Sequence, residues 1–168
     1  MVKSQTGKGN ENRGESFITF KERKFGEGDN HPKKFRNETR IKIGDNTGIQ
    51  YRFTILAGSD VIIGRDVAIA SDVFLSSGNH GIDPECNIAY GCQPYLGTPI
   101  KIEDGAWLGE KVTVLSGVTI GKKSIIGSGG VVTRDIPAYC VAVGNPARVI
   151  KKYNFHTHQW EVYNLNET

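Results

Sequence analysis

The chain has 168 residues and a mass of 18.4 kDa, which is the size of one domain and enough to bury a core without disulfides or a metal. Glycine accounts for 21 residues, well above the average share of about 7%, and this favours repeated tight turns over long helices. The net charge of +3 comes from residues 1–40, which carry a net charge of +4, so a nucleic-acid partner is not expected.

The N-terminal segment, residues 1–40, is basic and matches no motif that assigns it a role. We interpret its charge as a solvated surface, and the segment could cover one end of the domain or reach a neighbouring subunit. No charged-then-apolar signal segment opens the chain, and no apolar run of 18 residues occurs. We therefore expect no membrane span.

A repeat of six residues extends over residues 41–145. Starting at position 102, every sixth residue is aliphatic: Ile102, Leu108, Val114, Ile120, Ile126 and Val132. The same step fits an earlier run, with a slip of two residues before its last three members: Ile43, Ile49, Ile55, Val61, Ile63, Ile69 and Leu75. A period of six is that of a short strand plus a turn, and three such units make one coil of a triangular prism. We predict an all-β parallel helix whose aliphatic side chains stack inside, with four coils at residues 43–60, 61–80, 102–119 and 120–137.

The repeat fails over residues 81–101, a stretch rich in Gly, Pro and Tyr that cannot continue the six-residue step. We predict a loop extruded from the prism wall, and long loops of this kind are usually functional. His80 stands at the base of this loop and is the one histidine inside the repeat. A neutral imidazole can take a proton from a substrate, so His80 is the candidate catalytic base.

The chain beyond the repeat, residues 146–168, is predicted to hold a short C-terminal helix and a tail. Asn145–Pro146 has the signature of a helix start with Pro at the first helical position, and such a helix would cap the open end of the prism.

The cysteines and histidines of the chain limit its other chemistry. Cys86, Cys92 and Cys140 form no CxxC pair, and this odd count argues against a secreted disulfide framework, so we expect a cytoplasmic location. A single histidine in the repeat is too few for a zinc site on the prism wall, and we expect no metal.

Four units of the repeat, I-G-R-D-V-A, L-G-E-K-V-T, I-G-K-K-S-I and I-G-S-G-G-V, resemble the hexapeptide repeat of left-handed parallel β-helix acyltransferases. The resemblance covers residues 41–152 and is closest to the galactoside and polysaccharide O-acetyltransferase branch. It implies left-handed winding, acetyl-CoA as the donor and a homotrimer. Relatives in this branch place their catalytic histidine just before the extruded loop, as His80 is placed here. A tryptophan matching Trp107 lines their acetyl-transfer site across a subunit boundary.

The resemblance also implies which residues contact the two substrates. The stretch V-T-R-D-I-P-A-Y-C-V-A-V-G-N-P-A-R-V-I-K resembles the family's C-terminal motif, whose basic side chains meet the phosphates of coenzyme A. The residues implied to bind the cofactor are Gly109, Ser128, Arg134, Arg148 and Lys151. The residues expected to bind the acceptor, within or beside the loop 81–99, are Asn79, Asp83, Tyr90 and Tyr95.

These features together predict an acetyl-CoA-dependent O-acetyltransferase of a sugar hydroxyl, on a polysaccharide or its precursor, with His80 and Trp107 at the catalytic site. N-acetylation of an amino sugar or a small antibiotic would use the same base and donor, and this alternative stays open. A β-helix that only binds or assembles is a third hypothesis, against which His80, the loop and the basic C-terminal motif all argue. We expect direct transfer in a ternary complex, without an acyl-enzyme.

Overall fold

The computed structural model describes residues 4–8, 16–21 and 38–163, and this part of the chain is almost entirely β. In chain order its strands are β1 (Ser4–Lys8), β2 (Ser16–Lys21), β3 (Glu38–Ile43), β4 (Gly48–Ile49), β5 (Thr54–Leu56), β6 (Val61–Ile63), β7 (Ala68–Ile69), β8 (Phe74–Ser76), β9 (Gly78–His80), β10 (Tyr95–Gly97), β11 (Ile100–Ile102), β12 (Trp107–Leu108), β13 (Thr113–Val114), β14 (Thr119–Ile120), β15 (Ile125–Ile126), β16 (Val131–Val132), β17 (Cys140–Val143), β18 (Arg148–Asn154) and β19 (Gln159–Val162). A 3-10 turn at Tyr90–Cys92 is the one helical element among the described residues.

Three parallel sheets form the walls of a prism. Sheet A contains β3, β6, β11 and β14, sheet B contains β4, β7, β12 and β15, and sheet C contains β5, β8, β13 and β16. The chain passes from A to B to C and then back to A, so it winds as a three-sided parallel β-helix. The predicted all-β architecture of stacked coils is confirmed.

From Val61 onward, the aliphatic residues of the six-residue step fill the interior of the prism. Those from position 102 onward are at most 1% exposed: Ile102, Leu108, Val114, Ile120, Ile126 and Val132. The strand register stacks each of them on its equivalent in the next coil, as Ile102 on Ile120 and Leu108 on Ile126. Each buried side chain of this size contributes about 1.5–3 kcal/mol by leaving water, so the stacked rows hold the coils together.

The sheets meet at three corners, which we name A–B, B–C and C–A after the sheets they join. At the A–B corner one residue in each coil has a positive φ, and these residues are Asn46 (57°), Asp66 (56°), Gly105 (69°) and Lys123 (53°). Asn, Asp and Gly tolerate this conformation best, which explains their recurrence between the aliphatic positions. Both departures from the six-residue step, the two-residue slip before Ile63 and the extruded segment, fall at the C–A corner.

The prediction of a C-terminal helix is wrong. Residues 148–154 form β18, which pairs antiparallel with β17, and β19 pairs antiparallel with β18. Asn145–Pro146 lies in the turn between β17 and β18, with a cis peptide bond. The edge of sheet B offers unpaired backbone groups beside β17, and the β-branched Val149 and Ile150 suit a strand that covers this edge. Residues 164–168 of the predicted tail lie outside the described residues.

The described strands of the N-terminal segment extend sheet A. β1 pairs with β2, and β2 pairs antiparallel with β3 along Ser16–Lys21. The rest of that segment lies outside the described residues. Where the chain is described, none of its elements is a helix with the length and apolarity needed to cross a bilayer.

Candidate active site

The segment extruded from the prism is an antiparallel hairpin at the C–A corner. Its stem is formed by β9 and β10, which pair with His80 opposite Tyr95, and its tip spans residues 81–94. The predicted loop end at residue 101 is wrong, because Ile100 is fully buried and begins β11 of sheet A. The hairpin therefore leaves and rejoins the prism between two coils, which places His80 beside its wall.

His80 is exposed at the end of β9, and three contacts define its position. Its ring Nδ1 lies 3.3 Å from the carbonyl oxygen of Gln93, and its backbone N–H donates to Asn79 Oδ1 at 3.0 Å. Its ring also meets the ring of Tyr95 edge-on, with centroids 5.0 Å apart and an interplanar angle of 76°. A carbonyl oxygen can only accept, so the neutral ring carries its proton on Nδ1 and keeps a lone pair on Nε2. That lone pair can act as a general base.

Tyr95 is packed into the base of the hairpin, between Gly58 and Gly78. A Cβ at either glycine would collide with the Tyr95 ring, so only glycine leaves room for it there. Burial raises the pKa of the Tyr95 phenol above its ordinary value. Tyr95 was expected to bind the acceptor, and the structure places it against the imidazole of His80.

The other residues expected at the acceptor site lie on the exposed side of the hairpin. Asn79 precedes His80 in β9, and its side-chain oxygen is taken by the His80 N–H. The Asp83 carboxylate accepts the backbone N–H of Glu85 at 2.9 Å. Tyr90 is 57% exposed in the 3-10 turn. The hairpin thus presents polar and aromatic groups to solvent on the element that carries His80.

Gln93 is a residue of this site that the sequence does not single out. It is 4% exposed, the lowest value in the hairpin tip, and its amide binds the main chain of Asp83 and Ile88. The loop has no periodicity that would mark one of its polar residues as buried, so no sequence signal distinguishes Gln93 from its neighbours.

Trp107 lies on the outer face of sheet B, within β12. It is 52% exposed, and its neighbours in the strand register are Ile125 on one side and, on the other, the small residues Ala68 and then Gly48. These small residues leave a shallow depression beside the indole, bordered on the other side by Tyr51. Sheet B does not include the hairpin strands, so Trp107 and His80 are not brought together within one subunit.

The residues expected to bind the cofactor fall into two groups. Gly109 and Ser128 adjoin at the B–C corner, where a Cβ on Gly109 would lie 2.8 Å from the Ser128 backbone nitrogen. Arg148 and Lys151 lie on β18, the strand next to the edge strand of the same sheet B, opposite Val143 and Val141.

Arg134 is the exception, because it follows β16 at the C–A corner. Strand β16 is two positions from β8, the strand that leads into the hairpin, so it lies about 9–10 Å further along the prism. Arg134 therefore shares a corner with His80 and lies apart from the other cofactor candidates.

Two separate surfaces result. We call His80, Asn79, Tyr95 and Arg134 the histidine corner. The tryptophan face consists of Trp107, Gly109, Ser128, Arg148 and Lys151, all on sheet B or at its B–C corner. Within the described part of the chain, none of the cations Arg134, Arg148 and Lys151 forms an ion pair with a carboxylate, so their charge is available to an anionic ligand.

Comparison with known proteins shows which proteins this chain is similar to. The family model described as bacterial transferase hexapeptide (six repeats) matches residues 99–134. The galactoside O-acetyltransferase of Escherichia coli K12 is 38% identical over 123 residues, which cover 73% of this chain and 59% of that protein.

Two solved structures share the fold with similar coverage. The hexapeptide-repeat acetyltransferase VCA0836 of Vibrio cholerae O1 biovar eltor, complexed with acetyl coenzyme A, superposes with a TM-score of 0.63 at 32% identity, over 68% of this chain and 61% of that one. The polySia-specific acetyltransferase NeuO superposes with a TM-score of 0.53 at 31% identity, over 73% of this chain and 54% of that one. The chain thus spans less than two thirds of the length of each of these relatives.

Proposed function

Because the chain belongs to the hexapeptide-repeat transferase family with its left-handed parallel β-helix fold, we propose that it is an acetyl-CoA-dependent O-acetyltransferase of a sugar hydroxyl. The observation that carries this proposal is His80 at the base of the extruded hairpin, with Nδ1 3.3 Å from the Gln93 carbonyl oxygen, which leaves Nε2 as the ring nitrogen that can take up a proton. The names of the galactoside enzyme and of NeuO support a sugar acceptor, on a polysaccharide or its precursor.

The chemistry that we propose needs one base and one set of anion-binding groups. His80 Nε2 takes the proton of the acceptor hydroxyl while the hydroxyl oxygen bonds to the acetyl carbon of the thioester. The carbon–sulfur bond then breaks, and the imidazolium returns the proton to the departing thiolate. Backbone N–H groups at a coil corner stabilise the oxyanion formed between these steps. No covalent bond to the enzyme is required.

The tryptophan face supplies the properties that a nucleotide thioester needs. Arg148 and Lys151 are exposed cations for its phosphates, and the Gly109–Ser128 corner offers close approach to the main chain. Trp107 offers an apolar surface about 14 Å from the row that carries Lys151, since three strand spacings separate them. We infer that the pantetheine chain runs along this distance, from the phosphates at β18 toward the indole.

The histidine corner and the tryptophan face lie on different parts of one prism, so a complete site needs two subunits. Packing three prisms about a threefold axis brings the C–A corner of one subunit to the sheet B side of the next and forms three equal clefts. We propose a homotrimer in which His80 of one subunit and Trp107 of its neighbour line each cleft. The prism interior is filled by aliphatic side chains, which supports a site between subunits over one inside a subunit.

We expect this chemistry in a reducing compartment such as the cytoplasm. All three cysteines, Cys86, Cys92 and Cys140, are free, as a reducing environment would leave them.

The direct test is release of free thiol from acetyl-CoA in the presence of panels of hydroxyl and amine acceptors. Acetylation of a sugar hydroxyl supports the proposal, and exclusive use of amines would favour N-acetylation. His80→Ala should lower kcat by about a hundredfold to ten-thousandfold. His156→Ala is the matched control, since His156 is exposed in the β18–β19 turn, and it should retain wild-type activity. Substantial acetyl transfer to the sugar acceptor by His80→Ala would contradict the proposed role.

A further inference from the structure

The tip of the extruded hairpin is organised around one buried amide. The Gln93 Nε2 group donates to the carbonyl oxygens of Asp83 at 2.8 Å and Ile88 at 3.2 Å, and Oε1 accepts the N–H of Asp83 at 3.0 Å. The backbone N–H of Gln93 donates to the carbonyl oxygens of Ala89 and Tyr90, both at 3.1 Å. Every strong donor and acceptor of the side chain therefore binds the main chain of the tip.

These bonds hold the backbone carbonyl of Gln93 in place, and this carbonyl is the group of Gln93 that faces His80. The Gln93 carbonyl oxygen lies 3.3 Å from His80 Nδ1. A second hydrogen bond crosses the hairpin beside this contact: the Gly81 N–H donates to the Pro94 carbonyl oxygen at 2.9 Å. At Gly81 a Cβ would lie 2.8 Å from Gln93 Oε1, so glycine is what allows the amide to enter the tip.

We propose that Gln93 is a positioning residue for the reaction: its side-chain amide holds the tip so that its own carbonyl accepts the Nδ1 proton of His80. The inference rests on the proposed function of His80 as the base. A histidine with its proton fixed on Nδ1 presents the lone pair of Nε2 to the acceptor, whereas the other tautomer presents a proton there and cannot act as a base. When His80 takes up the acceptor proton, the same carbonyl binds the charged ring more strongly.

A role limited to loop stability predicts something different. If Gln93 only closed the tip, its loss would loosen residues 81–94 without changing which nitrogen of His80 is protonated. The tautomer of His80 therefore separates the two roles, and it can be measured without any substrate.

The test is ¹⁵N NMR of the neutral His80 ring in the wild-type protein and in Gln93→Met, which keeps the length of the side chain and removes its hydrogen bonds. His80 is assigned by the signal lost in His80→Asn. We expect the Nδ1–H form in the wild type and a mixture of tautomers in Gln93→Met. Asn87→Leu is the matched control, since Asn87 is exposed in the same tip, and it should keep the wild-type tautomer.

Kinetics provide the second readout. Gln93→Met should lower kcat by about tenfold to a hundredfold while the KM for acetyl-CoA stays unchanged, because the base is misplaced and the donor site is not. A wild-type His80 in the Nε2–H form overturns the proposal whether or not the variant folds, as does a Gln93→Met protein with unchanged tautomer and kcat. A tautomer that depends on Gln93 in a protein that acetylates no acceptor supports the positioning contact and contradicts the proposed function alone.

Discussion

At the scale of single residues, two residues on the returning side of the hairpin set the environment of His80. Tyr95 packs against the ring edge, and the Gln93 carbonyl binds Nδ1. His80 could be predicted from the sequence because it is the one histidine at the point where the repeat fails. Gln93 could not, since its importance comes from burial in a loop that carries no periodic pattern.

The buried phenol of Tyr95 gives stability a pH dependence. Burial raises its pKa in the folded state, so the folded protein resists forming the phenolate. This contribution is fully present below the ordinary tyrosine pKa of about 10 and is lost as the pH rises through the higher folded value. We expect the free energy of unfolding to fall less steeply above pH about 10 in Tyr95→Phe than in the wild type, as measured by urea unfolding. Tyr90→Phe, at an exposed position of the same hairpin, should follow the wild type, and an equal effect of both variants would contradict the assignment.

The exposed cations of β18 should recognise the 3′-phosphate of coenzyme A. The wild type is expected to prefer acetyl-CoA over its 3′-dephospho form, and Arg148→Ala with Lys151→Ala should remove that preference. Binding of acetyl-CoA should weaken by about 1.5–3 kcal/mol for each charged hydrogen bond lost, as measured by calorimetry. Lys122→Ala is the control, since Lys122 is an exposed residue at the A–B corner, away from β18. A preference that survives in the double variant would mean that the phosphate is bound elsewhere.

At the scale of elements, the β-helix follows from the repeat, whereas its interruptions follow from contacts that the repeat does not encode. The stacked rows of Ile, Leu and Val could be predicted because one period fixes both the strand and the inward face. The helix expected after Asn145 was wrong because the local signature of a helix start competes with an open sheet edge. Backbone pairing of β18 with β17 satisfies that edge, and this is a tertiary effect.

The stem of the hairpin depends on glycine at Gly78. An added Cβ there would collide with the Tyr95 ring and would lie 2.8 Å from the Cα of Gly58. Gly78→Ala should therefore destabilise the protein by about 1–3 kcal/mol and should also lower kcat, because β9 carries His80. Gly91→Ala is the control in the same hairpin, where a Cβ would meet no atom within 4 Å. Thermal melting measures the loss of stability, and thiol release measures the loss of kcat. Equal behaviour of the two variants would show that packing of Tyr95 against the main chain at position 78 is not required.

At the scale of the whole molecule, the central feature is the separation of the histidine corner from the tryptophan face. The sequence suggested one C-terminal motif for the cofactor, but it could not show that Arg134 lies at the C–A corner while Arg148 and Lys151 lie on sheet B. That division depends on where each turn of the chain falls around the prism. It is the reason that we propose a cleft built from two subunits.

Complementation between two inactive variants tests this account most directly. His80→Ala and Trp107→Ala subunits should each form inactive trimers, because each lacks one side of every cleft. Unfolding the two together in equal amounts and refolding them gives random mixed trimers, in which about one cleft in four has both sides intact. We predict that thiol release with the sugar acceptor recovers toward a quarter of the wild-type rate, while each variant refolded alone stays inactive. Mixed trimers that form, as shown by mass spectrometry of differently tagged subunits, but recover no activity would contradict the shared cleft and place both groups in one subunit.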